Sequence, residues 1–220
     1  MVITMFKSSR TDLAVENNIN NESYRLITYD DLLDSKSVEK KLIKELKNYI
    51  NKNYKHIFVV GLGNENNTAD SVGPKVIKKL RVNAHLQNIG IKNEYIISAL
   101  EPGVLGTTGI ETTKIIKSIT DKIKPNLVIL IDSYVTKDFK YLNKSIQITD
   151  EGIIPGSGLN QKNEEISFTT LKVPTIVIGV VTAIEIKNKI NYIVSTKNVD
   201  YYVDKVSDII SNSLNKIFYP

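Results

Sequence analysis

Three solid apolar runs stand out along the chain: Ile57-Phe58-Val59-Val60, Leu127-Val128-Ile129-Leu130-Ile131 and residues 175–181. Strands of a parallel sheet are covered on both faces, so they read as unbroken apolar stretches rather than alternating ones. Between these runs the pattern changes to a helical period. Val38, Leu42, Ile43, Leu46, Tyr49 and Ile50 predict a helix over 35–51, with lysines on its other face. Further helices are predicted over 71–86 (Val76, Ile77, Leu80, Val82), 108–123 (Ile110, Ile115, Ile116 and Ile119 inward) and 200–218 (Val203, Val206, Ile210, Leu214, Ile217). Residues 24–28 and 95–100 read as strands, and the polar–apolar alternation at 145–149 reads as an edge strand. The Asn-rich start of the chain reads as an irregular arm. Strands alternating with helices predict an α/β fold, a three-layer sandwich around a mostly parallel sheet. The 220 residues suffice for one sizeable core.

Open parallel sheets bind ligands at the carboxyl ends of their strands. Asp70 follows the first apolar run across a glycine turn, Gly61-Leu62-Gly63-Asn64, and Asp132 ends the second run. Each aspartate has an ordinary structural job available: helix N-cap for Asp70, turn formation for Asp132. Together at one sheet edge they point to acid/base chemistry. Close carboxylates cannot both ionise freely, so the pair shares a proton. Such a pair can deprotonate water and protonate a leaving amine. Gly61, Gly63, Asn64, Pro102, Gly103 and Thr107 are the candidate lining of a substrate groove, with the glycine-rich loop at 101–109 as a backbone wall. Asn64 serves a substrate or its own loop, and Thr107 and Thr108 are also available as helix caps.

Other chemistries find less material. Gly61-x-Gly63 lacks the third glycine of a dinucleotide fingerprint, because position 66 is Asn. Ser157, in Pro155-Gly156-Ser157-Gly158, lacks the strand–elbow–helix setting of a serine hydrolase. The two histidines, His56 and His85, lie away from the candidate edge, which leaves little for a catalytic triad or a histidine metal centre. A metal held by carboxylates and water stays open; the residues themselves require no cofactor.

Composition adds boundaries. The chain has no cysteine, which removes disulfides and thiolate chemistry. Its net charge of +5 comes almost wholly from lysines spread over helix faces, with arginine only at positions 10, 25 and 81. That pattern is a solvated surface rather than a nucleic-acid stripe. Met1-Val2-Ile3-Thr4-Met5-Phe6-Lys7 has no long apolar core of the signal-peptide kind. No apolar stretch approaches the ~18 residues of a membrane span. A cytoplasmic protein without direct nucleic-acid or membrane contact is the expectation.

A series of spaced motifs resembles the spore germination protease family, the endopeptidases that degrade small acid-soluble spore proteins. The series runs through Arg10-Thr11-Asp12-Leu13-Ala14-Val15-Glu16, Gly61-Leu62-Gly63-Asn64, Thr68-x-Asp70-x-x-Gly73-Pro74, Pro102-Gly103-Val104 with Gly106, Thr108-Gly109 and Glu111-Thr112. It continues with Ile131-Asp132, Ile146-Gln147-Ile148 with Asp150, Pro155-Gly156-Ser157-Gly158 and Ile178-Gly179, covering roughly residues 8 to 185. The resemblance implies a fold akin to that of hydrogenase maturation peptidases (phosphorylase/hydrolase-like). It implies an aspartate-dependent mechanism on Asp70 and Asp132, no cofactor, a homotetramer, and residence in the forespore or spore core. It implies a zymogen whose short N-terminal piece is removed. Family substrates are cut after an acidic residue followed by a bulky apolar one and Ala, and Thr11-Asp12-Leu13-Ala14 looks like that signal. Self-cleavage is therefore expected at Asp12–Leu13, leaving a propeptide of 1–12 and one peptidase domain of 13–220.

The chain departs from the family pattern at several points. Ala69 precedes the first aspartate in place of Pro, and Ser133-Tyr134-Val135-Thr136-Lys137 follows the second in place of small residues and an arginine. Ile154, Asn160 and Val181 replace a histidine, a glycine and a proline. Two alternatives are weighed beside the protease reading. One is a metal-dependent maturation peptidase of the same fold; the other is a non-catalytic relative that binds spore proteins.

Overall fold

The computed structural model describes residues 4–5, 24–30, 32–91, 93–155, 164–186 and 192–219. The strands are β1 (Thr4–Met5), β2 (Tyr24–Thr28), β3 (His56–Gly61), β4 (Ile96–Leu100), β5 (Leu127–Thr136), β6 (Ser145–Thr149), β7 (Thr175–Ile186) and β8 (Tyr192–Val194). The α-helices are α1 (Ser35–Tyr49), α2 (Val72–Lys79), α3 (Leu105–Thr108), α4 (Thr112–Ile123), α5 (Phe168–Leu171) and α6 (Val199–Phe218). The expected cleavage point Asp12–Leu13 lies outside the described residues, as do Gly156 and Ser157.

One sheet organises the molecule, in the order β2-β6-β7-β5-β3-β4. β4, β3, β5 and β7 are mutually parallel; β6 runs antiparallel to β7, and β2 antiparallel to β6. Helices cover both faces, so the expected three-layer, largely parallel α/β sandwich is what forms. One face carries Ile57, Val59, Ile129, Ile131, Ile146, Ile148, Ile178 and Val180 against α1, α2 and α6. The other carries Phe58, Val60, Val128, Leu130, Val177 and Val181 against Ile116 of α4 and Leu171 of α5. Alternate side chains of one strand point to opposite faces, so each solid apolar run serves both cores at once.

Four expectations are corrected. β5 does not stop at Ile131 but runs on to Thr136, and β7 runs on to Ile186; the two remain paired past Asp132 with a bulge at Tyr134/Val135. Asp132 is thus an interior strand residue and forms no turn. The segment 145–149 is no edge strand: it is flanked by β2 and β7 and buried along its length. The expected helix 71–86 ends at Lys79. Asn215 of α6 accepts from the Arg81 N–H and donates to the Lys79 carbonyl, and Asn83 bridges the Tyr95 carbonyl and the Ile97 N–H. These partners take over the backbone groups that another helical turn would use. The expected helix 108–123 splits into α3 and α4 around Gly109, at φ 70°, which leaves Ile110 half exposed rather than inward.

Candidate active site

The site forms where β3 ends beside β5, which runs on past it. Past Gly61 the Leu62 N–H still donates to the Ile131 carbonyl, extending the β3–β5 pairing by one bond. The chain then turns through Gly63 into a 3₁₀ turn, Thr68–Asp70, which leads into α2. Gly63 sits at φ 112°, and a Cβ there would lie 2.1 Å from the Asp70 carbonyl oxygen and 3.1 Å from Asp70 Oδ1. Only glycine fits both the backbone angle and the close approach. The turn is pinned from the far side by Thr182 of β7, whose hydroxyl donates to the Ala69 carbonyl at 2.6 Å.

Asp70 is therefore no helix cap. Ser71 occupies the cap position of α2, and Asp70 faces inward with 1 % of its surface exposed. The Asn64 N–H donates to the Asp70 carbonyl (2.9 Å) and to Oδ2 (3.1 Å). Oδ1 has no hydrogen-bond partner among the described residues. Asp132 is fully buried, and its Oδ1 accepts the N–H of Ser133 at 2.8 Å. Burial first, and the charge of Asp132 second, push the Asp70 carboxyl up to about 9. Tyr134, two residues further along β5, has its hydroxyl held well above the usual phenol value by burial and by the same Asp132 charge. Two carboxylates remote in sequence thus feel each other in a buried place where β3 ends beside β5.

The candidate groove residues divide. Gly63 and Asn64 touch Asp70 directly. The Asn64 side chain accepts from the Asn66 N–H, so it serves its own loop. Gly61 is packed against the Gly73 carbonyl, where a Cβ would come within 2.4 Å; its job is to seat α2 on β3. Pro102, Gly103 and Thr107 follow β4, beyond β3 from Asp132. The Thr107 hydroxyl donates to the Val104 carbonyl and caps α3. Tyr134, which feels the same Asp132 charge, is not among the candidates read from the sequence; its only signal there was its place two residues beyond Asp132.

Comparison with known proteins bears on the same segments. A family model described as germination protease matches residues 22–193. The chain belongs to the germination protease family. It is 37 % identical over 191 residues to the germination protease of Caldanaerobacter subterraneus subsp. tengcongensis, covering 83 % of this chain and 57 % of that one. It is 40 % identical over 167 residues to that of Clostridium tetani, covering 72 % and 50 %. With the Bacillus licheniformis protein the identity is 47 % over 131 residues, covering 58 % and 36 %. The chain thus spans about half the length of the curated relatives it matches. Among solved structures, a NiFe hydrogenase maturation protease, HycI, from Thermococcus kodakarensis matches with a TM-score of 0.41 and 14 % identity, over 74 % of this chain and 94 % of that one. Among the described residues, no group of three His, Asp or Glu side chains is placed to hold a metal ion, and no helix is long and apolar enough to cross a membrane.

Proposed function

We propose that this chain is an endopeptidase of the germination type, with Asp70 and Asp132 as its water-activating pair. The observation that carries the reading is the mutual electrostatic coupling of these two buried carboxylates where β3 ends beside β5. The pair shares one proton, and burial together with the charge of Asp132 favours its place on Asp70. Asp132 takes a proton from water as the water oxygen bonds to the carbonyl carbon of the peptide. Asp70 gives its proton to the amide nitrogen as the C–N bond breaks, leaving a free amine and a carboxylic acid. Return of the proton from Asp132 to Asp70 resets the pair.

The substrates are small acid-soluble spore proteins, cut in the spore core during germination by a homo-oligomeric, tetrameric enzyme. The precursor cuts itself at Asp12–Leu13. The position of β1 supports an N-terminal piece that blocks the site. Thr4–Met5 pair in parallel with Tyr134–Val135, just past Asp132 on β5 and beyond the point where β3 leaves it. A segment there lies beside the aspartates and leaves when the precursor is cut.

The deciding experiment incubates the purified chain, Asp70→Asn and Asp132→Asn with a small acid-soluble spore protein and follows fragments by mass spectrometry. Cleavage by the unmodified chain, lost in both variants with melting temperatures kept, is the expected result. Cleavage that survives either amide variant overturns the mechanism. A second reading, a relative that binds spore proteins without cutting them, draws on the burial of both carboxylates, 1 % and 0 % exposed. Stable binding of the substrate without fragments selects it.

A further inference from the structure

Three strands carry one row of residues across the sheet beside the aspartate pair. Gln147 of β6 pairs with Gly179 of β7, and Gly179 pairs with Asp132 of β5. Paired residues of neighbouring strands point to the same face. Here it is the face of Val128, Leu130, Val177 and Val181. Gly179 has no side chain, so the row holds a gap between Gln147 and Asp132. Two strand spacings make it roughly 10 Å from Cα to Cα. The ring of Tyr134 lies in that gap, so low that a Cβ on Gly179 would fall 1.5 Å from ring Cε2. Gln147 is 3 % exposed, and neither its side-chain nitrogen nor its oxygen has a hydrogen-bond partner among the described residues.

An unmet primary amide in a dry site is costly. Native proteins keep few such groups. An apolar residue of the same length would fill the place at lower cost, so stability does not explain glutamine. An aspartate, a glycine backbone under a tyrosine ring and an amide with no partner among the described residues together have the chemistry of a peptide group's receptor. Once the Tyr134 ring is displaced, the glycine leaves room for the backbone of an extended chain. The amide offers one donor to a carbonyl oxygen and one acceptor to an N–H.

We propose that Gln147 is a catalytic residue: its side-chain nitrogen donates to the carbonyl oxygen of the scissile peptide, across Gly179 from Asp132. The ring of Tyr134 fills this place without substrate and lifts off Gly179 when the peptide enters. As water adds to the carbonyl carbon, negative charge grows on that oxygen and the Gln147 bond strengthens with it. The inference rests on the peptidase reading of Asp70 and Asp132.

The test is Gln147→Met, an apolar side chain of nearly the same length, assayed on a small acid-soluble spore protein beside the unmodified chain and Asp132→Asn. The expected result is a fall in kcat of about 10²-fold with KM nearly unchanged. Its melting temperature stays equal or rises, because an unmet polar group has been removed. Full turnover by Gln147→Met alongside a dead Asp132→Asn overturns this inference and leaves the peptidase reading standing. A variant that melts several degrees lower, or does not fold, also overturns it, since the amide then has a structural partner. Absence of cleavage by the unmodified chain removes the peptidase reading and this inference with it.

Discussion

The two faces of β5 teach different lessons although they belong to one strand. On the face of Leu127, Ile129 and Ile131 the chain meets α1, α2 and α6, which press an apolar layer onto it. On the face of Val128 and Leu130 the pattern begins the same way and then changes to Asp132 and Tyr134. Both faces are buried, but only the second buries a charge-bearing group beside another. Burying a carboxyl without a counter-charge is costly, and the usual outcome is that it holds its proton. The apolar face therefore carries stability, while the polar end of the other face buries carboxyl groups at the expense of some of that stability.

That contrast is sharpest in paired substitutions. Asp70→Asn or Asp132→Asn is expected to lower proteolysis by at least about 10³-fold while the chain stays folded, read by fragment yield and circular dichroism. Its mirror is Ile129→Ala, on the packed face, which is expected to cost about 2–5 kcal/mol in urea unfolding by opening a cavity in a fully buried site. Turnover per folded molecule should hold in Ile129→Ala. If it falls as far as in the aspartate variants, the two faces are not separable.

Gly63→Ala lies between these extremes. It forces a side chain into a φ of 112° and against the Asp70 carbonyl. The expected cost is about 1–3 kcal/mol. Activity should drop with it, because the turn that aims Asp70 must shift. Intact activity in a stable Gly63→Ala would show that the turn tolerates movement.

The pH dependence of stability isolates the Asp70 proton. Native Asp70 keeps its proton up to about pH 9, whereas in the unfolded chain the carboxyl releases it near the ordinary 3.8. Between those values the native state holds the extra proton, so stability is fullest at the acid end and declines as pH rises toward 9. Asp70→Asn removes that slope. Its melting temperature relative to the unmodified chain should climb steadily from pH 5 to pH 9, read by calorimetry. A constant difference would mean that Asp70 is ionised in the native state.

The smallest effect is expected where α2 meets α6 at the surface. Lys79 pairs with Asp208 at 2.7 Å, and Lys75 with Asp204 at 3.1 Å, all of them at least partly exposed. Lys79→Gln should change unfolding free energy by no more than about 1 kcal/mol. Its activity should match that of the unmodified chain.

Much of this architecture was legible along the chain. The unbroken apolar runs marked β3, β5 and β7, and the helical stripes marked α1 and α6 almost to the residue. Bringing Asp70 and Asp132 near each other followed from where those apolar runs stop, although β5 itself continues past Asp132. Less visible was anything that depends on a partner distant in sequence. The stop of α2 at Lys79 is set by Asn215, more than a hundred residues away. The length of β5 is set by β7, which stays beside it past Asp132.

By itself, then, the order of residues determined which segments are strands or helices and which acids stand near strand ends, because apolar periodicity is a local property of the chain. Only the tertiary structure decided that 145–149 is interior to the sheet, that Ile110 faces solvent, and that Gln147, Gly179 and Asp132 share one row. Register decides these things. A one-residue slip between strands would turn every side chain to the opposite face, and register is fixed by packing among strands that the sequence keeps far apart.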